Sequence, residues 1–397
     1  MNLASLSRFN EGHVMSNVPK LRFKEFSGEW EEKTLGEISS KVLYGIGSSA
    51  IAYDGVNKYL RITDIDESSR TFIPNPLTSP GGDIEEKYKL VVGDLVFART
   101  GASTGKSYLY NEKDGNLIYA GFLIKFHIDK ANPYFVYTNT FKEQYYKWVQ
   151  IMSMRSGQPG INAEEYKLLP LFLPSKQEQD KIASFLTSVD IKIEQLTKKE
   201  ELLQQYKKGV MQKIFNQEIR FKADDGSQFC DWGEKKLDDI LKTVSTKLYQ
   251  IKSSDILSEG LFKVVDQGQK TIAGYSNDTE KVYSSGDIIV YGDHTTIVKY
   301  IDFDFIVGAD GTKLLNTTKD NNLKYMYYNL VFNNIEAEGY KRHFSILRNI
   351  TLQIPSLKEQ IKIANFLSSI DSKIEQVQKQ LNFTKEFKKA LLQKMFI

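Results

Sequence analysis

The segment Gly101-Ala102-Ser103-Thr104-Gly105-Lys106-Ser107 approaches two chemical patterns. A phosphate loop would cradle a nucleotide with backbone amides and a lysine. It needs four residues between its glycines, and this segment has one fewer, with Thr100 where the first glycine should stand. A nucleophile elbow, Gly-x-Ser-x-Gly after a strand, would present Ser103 for acyl transfer. An elbow must run into a helix that carries the strained turn. Here Tyr108-Leu109-Tyr110 alternates like a strand, and Asp114-Gly115 marks a turn soon after.

Other catalytic signals are thinner. Asn132-Pro133-Tyr134-Phe135 approaches the Asn-Pro-Pro-aromatic signature of amino-methyltransferases, but it lacks the second proline and no Gly-rich cofactor turn accompanies it, so it reads as a helix start. Glu85-x-Lys87 is half of a nuclease motif and otherwise a solvated turn. The four histidines (His13, His127, His294 and His343) and the single Cys230 have no metal-site spacing, and one cysteine cannot form an internal disulfide. No catalytic residues, metal site or cofactor are therefore assigned to the chain, and a reducing, cytoplasmic setting is expected.

Short basic and polar loops after strands are better placed for function. They comprise Arg99 and Thr100 through Ser103 to Lys106; Met154-Arg155-Ser156-Gly157-Gln158; His294 and Lys299; and Tyr340-Lys341-Arg342-His343 with Ser345 and Arg348. Arg, Gln, Ser and His can read base edges, Lys and backbone amides hold phosphate, and Gly allows close approach. Their recurrence in both halves of the chain points to double-stranded DNA. An ungapped comparison at an offset of 193 places Lys299 opposite Lys106 and Thr296 opposite Ser103, so the halves share a basic residue and not a nucleophile. Bulk charge adds nothing to this. The net charge is +3, and residues 19–173 and 219–354 carry 19 basic against 19 acidic and 17 against 19.

These loops need a scaffold, and a duplication supplies it. Pro174–Phe215 aligns without gaps on Pro355–Phe396, 181 residues later, with 21 of 42 positions identical. Leu21-Arg22-Phe23-Lys24 likewise matches Ile219-Arg220-Phe221-Lys222, Trp30 matches Trp232, and Gly93-Asp94-Leu95-Val96 matches Gly286-Asp287-Ile288-Ile289. Each long copy reads as one helix with an apolar seam at Ile182, Leu186, Val189, Ile193 and Leu196, matched by Ile363, Leu367, Ile370, Ile374 and Val377, and interrupted at Glu200 and Lys207. Phe185 and Phe366 lie one position off the seam. They widen the stripe for a third surface, either the chain's own domains or a partner helix. Only Asn216–Glu218 separates the first helix from the second domain, which favours an antiparallel pair with a domain at each end, acting as a ruler between them.

The expected organisation is a leader at 1–18, flexible and with Met15 as an alternative start; a domain at 19–173; a helix at 174–218; a domain at 219–354; and a helix at 355–397. The globular halves read as α+β. Strands are expected at Tyr59–Ile65, Asp94–Arg99, Leu117–Ile128, Leu168–Leu173, Leu261–Val265, Asp287–Tyr291, Val298–Val307 and Ile350–Ile354, with helices at Pro133–Met152 and Leu323–Glu338. No run approaches the roughly 18 apolar residues of a membrane span, so no membrane partner is expected.

With these features in view, the chain resembles the specificity subunits of type I restriction-modification systems. The resemblance runs from Pro19 to Ile397. It rests on Glu178-Gln179 with Ile182-Ala183, Glu359-Gln360 with Ile363-Ala364, Leu60-Arg-Ile-Thr-Asp-Ile65, Gly93-Asp94 before Leu95-Val-Phe-Ala-Arg99, and Ser156-Gly-Gln-Pro-Gly-Ile-Asn162. The second half departs from the pattern, with Gly292-Asp293-His294 and no Ser-Gly-Gln-Pro-Gly. The resemblance implies two target recognition domains that read a split asymmetric DNA sequence, and long helices that bind two adenine-methyltransferase subunits. S-adenosylmethionine, ATP and Mg2+ would then belong to partner methyltransferase and restriction subunits. The alternatives are a non-enzymatic coiled-coil adaptor binding proteins and, more distantly, a hydrolase built on Ser103.

Overall fold

The computed structural model describes residues 17–308, 310–339 and 341–397. The expected leader up to residue 16, Met15 within it, and Tyr340 lie outside the described residues. The chain divides into two compact units. Unit one runs to Gln195 and includes Leu381–Ile397; unit two is Leu196–Gln380.

Unit one contains strands β1 (Glu31–Thr34), β2 (Ser39–Tyr44), β3 (Ala50–Ala52), β4 (Lys58–Leu60), β5 (Thr78–Pro80), β6 (Asp94–Ala98), β7 (Ser107–Leu109), β8 (Leu117–Tyr119), β9 (Leu123–Ile128) and β10 (Pro170–Leu173). Helices α1 (Pro133–Asn139), α2 (Glu143–Ser153) and α3 (Ala163–Lys167) precede the long α4 (Lys176–Phe215). Unit two has β11 (Gly233–Lys236), β12 (Leu241–Val244), β13 (Phe262–Val265), β14 (Gly274–Ser276), β15 (Ile288–Gly292), β16 (Val298–Ile301), β17 (Phe305–Val307), β18 (Thr312–Thr317) and β19 (Thr351–Ile354). Its helices are α5 (Leu237–Ile240), α6 (Leu323–Phe332) and α7 (Phe344–Leu347); the long α8 (Leu357–Lys394) is divided between the units at Leu381, as α4 is at Leu196.

Both units are built on the same antiparallel sheet, ordered β2-β9-β6-β7 in one and β12-β18-β15-β16 in the other. Alternate residues of β6 enter two cores. Leu95 and Phe97 pack with α1–α3 and both long helices, while Val96 and Ala98 pack against Leu60, Leu117 and Tyr119. Burial on both faces explains why this strand is apolar from Leu95 to Ala98. Ile289 and Tyr291 against Val290 repeat the division in unit two.

Several expected elements are shorter than their apolar runs. Leu117–Ile128 is two strands: a turn closed by Leu123 N–H donating to the Ala120 carbonyl at 2.8 Å sends β8 parallel to β4 and β9 into the main sheet. Val298–Val307 likewise splits into β16 and β17, which join different sheets. The Tyr59–Ile65 strand stops at Leu60, because the Asp64 carboxylate accepts from the Arg61 backbone and guanidinium and folds Ile62–Asp64 into a 3₁₀ turn. Pro133–Met152 breaks after Asn139, where the Asn139 amide and Thr140 hydroxyl donate to helix carbonyls and compete with the backbone ladder.

The repeated segments are the two long helices, and each motif residue has a role in joining helix to domain. Buried Glu178 receives the Arg22 guanidinium at 2.8 and 2.7 Å, and Glu359 receives Arg220 at 2.9 and 3.0 Å. Gln179 accepts the Asn132 N–H and Gln360 the Asn322 N–H, at 2.9 and 2.8 Å. Asn132 and Asn322 in turn cap α1 and α6. Phe23 packs edge-on to Phe185, and Phe221 against Phe366. The third surface is thus the chain's own Arg-Phe segment. Seam residues Ile182, Leu186 and Val189 lie in the unit-one core, with Ile193 against it. Ile363, Leu367 and Ile370 lie in the unit-two core, with Ile374 against it; Leu196 and Val377 are also buried.

Within each unit the long helices run antiparallel and meet at one repeated node. In unit one Asp190 accepts from Tyr134 and pairs with Lys388 at 2.6 Å. In unit two Asp371 accepts from Tyr328 at 2.6 Å and pairs with Lys207 at 2.5 Å. Asp371 is the repeat counterpart of Asp190, and Lys388 that of Lys207. The polar seam interruptions are therefore interhelical contacts, and Glu200 also accepts from Gln378 at 2.8 Å.

Candidate nucleic-acid interface

In unit one the loop Arg99–Gly105 leaves β6 and is held at both ends. The Tyr166 hydroxyl donates to the Ala98 carbonyl at 2.7 Å and accepts the Gly105 N–H at 3.1 Å, and Tyr145 donates to the Gly105 carbonyl at 2.6 Å. Burial raises both phenol pKa values, so they remain protonated donors. Gly105 takes φ +89°, and a Cβ there would meet Val149 at 2.7 Å. The two glycines of the motif thus serve a tight turn, and a strand follows Ser107 in place of the helix an elbow requires.

Two expected loops come together here. The Ser156–Ile161 run pairs with the Arg99 loop: Ile161 N–H donates to the Arg99 carbonyl at 2.9 Å and Gly101 N–H to the Pro159 carbonyl at 3.0 Å. Arg155, Ser156 and Gln158 are exposed, Ser103 and Thr100 are half-buried, and the Gln158 amide lies against Gly101. Arg99 stacks its guanidinium on the Tyr44 ring, 5.0 Å from its centroid.

Unit two brings together the equivalent segments. His294 shares a 3.0 Å hydrogen bond with the Lys341 carbonyl, and the His343 N–H donates to the Asp293 carbonyl at 2.8 Å. Ser345 and Arg348 lie on α7 and its C-terminal cap. Arg348 there forms a bidentate pair with Asp238 of α5 at 3.0 and 2.7 Å.

The backbone bonds correct the ungapped correspondence. Ala98 N–H bonds the Lys106 carbonyl as Gly292 N–H bonds that of Ile297, both at 2.8 Å, so Arg99–Gly105 matches the shorter Asp293–Thr296. Arg99 N–H bonds the Phe122 carbonyl at 3.0 Å as Asp293 N–H bonds that of Gly311 at 2.7 Å. Asp293 therefore stands at the Arg99 position. Ile297, not Lys299, stands at that of Lys106: the register is already one residue beyond the ungapped offset at Arg99, and the turn that follows is three residues shorter.

Five of the seven expected cations are already matched. Lys106 is 8% exposed, bound to the Ile65 carbonyl and paired with Glu67 at 2.5 Å. Lys299 is 7% exposed and donates to the Asp266 and Lys270 carbonyls at 2.7 and 2.6 Å. Burial pushes its pKa down, opposed by Asp266. Arg155 pairs with Glu165, Lys341 with Glu338 and Arg348 with Asp238. His343 is also used internally. Its ring is buried, Nε2 accepts the Glu338 N–H at 3.0 Å and Nδ1 lies 3.0 Å from the Asp293 carbonyl, which requires the Nδ1–H tautomer. Lys106, Lys299 and His343 are thus taken up inside the fold. Among the described residues Arg99 and Arg342 carry no ion pair.

The model of the type I restriction modification DNA specificity domain matches this chain twice, over residues 27–204 and 230–383. The chain belongs to this family. Its work is DNA target recognition in a type I system, and as a specificity subunit it is non-catalytic. A Methanocaldococcus jannaschii protein named as the type I restriction enzyme MjaX specificity subunit is 25% identical over 95% of each chain. The EcoR124I/EcoR124II specificity subunit of Escherichia coli is 33% identical over 23% of this chain and 24% of its own. The S subunit of a type I system from M. genitalium has the same fold, with a TM-score of 0.64 at 17% identity, covering 96% of this chain and 99% of its own. These comparisons do not support the adaptor alternative. No helix among the described residues is long and apolar enough to cross a membrane.

Two residues of the specificity subunit's first unit carry no signal in the sequence. Tyr44 supplies the ring under Arg99, and Phe122, 61% exposed, offers its carbonyl to the Arg99 amide. Each sits inside an apolar run, where exposure and partner depend on turns that only the folded chain reveals.

Proposed function

We propose that the two units, built on residues 19–173 and 219–354, read the two halves of a split, asymmetric double-stranded DNA target. The supporting observation is a shared sheet that carries different chemistry at one position: Arg99 on a seven-residue loop in unit one, Asp293 on a four-residue turn in unit two. Identical frames with unlike loops suit unlike half-sites. In unit one Arg99, Thr100, Ser103, Arg155, Ser156 and Gln158 form the DNA-facing set; in unit two the set is His294, Lys341 and Arg342, with Ser345 and Arg348 at its margin.

The long helices join two adenine-methyltransferase subunits, and restriction subunits complete the complex. S-adenosylmethionine, ATP and Mg2+ reside in those partners, and the assembly works in the cytoplasm. The two-partner reading rests on a repeated apolar pair: Leu202 and Tyr206 of α4 are 52% and 53% exposed, and their counterparts Phe383 and Phe387 of α8 are 73% and 43% exposed. Such pairs at i and i+4 suit helical partners. Mapping methylated adenines in a host carrying this chain with its methyltransferase tests the function. The expected result is one bipartite, asymmetric motif. Methylation that is absent, or unchanged without the chain, would refute it.

A further inference from the structure

Neither the fold nor the loop chemistry uses the ring of Phe122. This residue occupies the tip of the turn between β8 and β9, and its backbone is held on three sides. Leu123 N–H closes the turn onto the Ala120 carbonyl at 2.8 Å, Gly121 N–H donates to the Ile46 carbonyl at 2.8 Å, and the Phe122 carbonyl accepts from Arg99 at 3.0 Å. The turn docks tightly, since a Cβ on Gly45 would lie 2.2 Å from the Ala120 carbonyl. The side chain nevertheless stays 61% exposed. A backbone pinned by these bonds thus displays an exposed phenyl ring on the residue bonded to the Arg99 amide, and Arg99 is itself stacked on Tyr44 and without an ion pair among the described residues.

A lone exposed phenylalanine is ordinary. One fixed beside a stacked, unpaired arginine has the elements that engage a nucleic-acid base: an aromatic face, a cation and little side-chain entropy to lose. Unit two has Gly311 at the same backbone bond, so it cannot offer this contact. We infer that Phe122 stacks on, or inserts beside, a base of the half-site read by unit one, with Arg99 holding the adjoining phosphate or base edge. The inference rests on the DNA-reading function proposed above.

The test uses the full chain assembled with its methyltransferase partner, and duplexes carrying the mapped target with 2-aminopurine placed singly across each half-site. In the wild type, fluorescence should change at one step of the unit-one half-site. Phe122→Ala should abolish that change and weaken binding about tenfold, while Phe122→Trp should preserve both. Responses in the other half-site should be the same in all three proteins. If Phe122→Ala matches wild type in affinity and in every fluorescence response, stacking is overturned while DNA reading stands. Loss of methyltransferase binding by Phe122→Ala, with DNA responses intact, would make the ring a protein contact and also overturn it. A wild-type complex with no preference for the mapped target would instead defeat the underlying function.

Discussion

Pairing within the fold separates cations available to a ligand from cations already used. Arg99 is free to meet DNA, whereas the Lys106 ammonium is buried, bound to the Ile65 carbonyl and paired with the exposed Glu67. Arg99→Ala should leave the melting temperature unchanged and weaken DNA binding. A base contact costs about 1–3 kcal/mol and relaxes one position, while a phosphate contact flattens the salt slope by about one unit. Lys106→Ala should do the reverse, lowering stability by about 1–3 kcal/mol while the salt slope of the folded protein stays put. Thermal unfolding and salt titration of both variants check the contrast. His343→Ala should likewise destabilise unit two, because it strands the Glu338 amide and leaves the Asp293 carbonyl with the residue-343 backbone N–H alone; hydrogen exchange confined to unit-two amides would report it.

The duplicated helices carry the same attachments twice, and these can be tested in parallel. Glu178 and Glu359 are 1% and 0% exposed, each facing an arginine, and the Trp232 indole also donates to Glu359 at 3.2 Å. Glu178→Ala or Glu359→Ala should each cost about 3–5 kcal/mol, since an arginine is left without its buried partner. Arg22→Met with Glu178→Leu should recover most of that loss, as measured by urea unfolding. At the helix–helix node, Asp190→Lys should destabilise and Lys388→Asp should partly rescue it. The partly exposed pair is worth about 1 kcal/mol, and a double-mutant cycle measures the coupling.

Over the whole molecule, each unit encloses its own four-stranded sheet and its own hydrophobic cores, so recognition should be separable. Exchanging residues of roughly 20–170 for those of a relative should change one half of the methylated motif and leave the other, provided the Arg22–Glu178 and Asn132–Gln179 contacts are retained. A change in both halves would show that reading is shared between units. Methylation mapping of the hybrid reports either outcome.

The duplication, the long helices, the α+β halves and the family were legible from the sequence by itself, because they are written in local periodicity and in side chains repeated at a constant offset. Glu178 and Glu359, or Phe185 and Phe366, announce a shared role before any fold is known. Tertiary structure alone decided which loop residues remain available. Lys106 and Arg99 are both basic residues of one loop, and only the burial of the first against the Ile65 carbonyl, and Tyr44 beneath the second, separates them. It also set the true correspondence between the halves. A three-residue difference in one turn shifts every later position, and backbone hydrogen bonds register that shift where an ungapped alignment does not. Turns at Ala120–Leu123 and Asp64, closed by a few specific bonds, likewise cut apolar runs that periodicity reads as single strands.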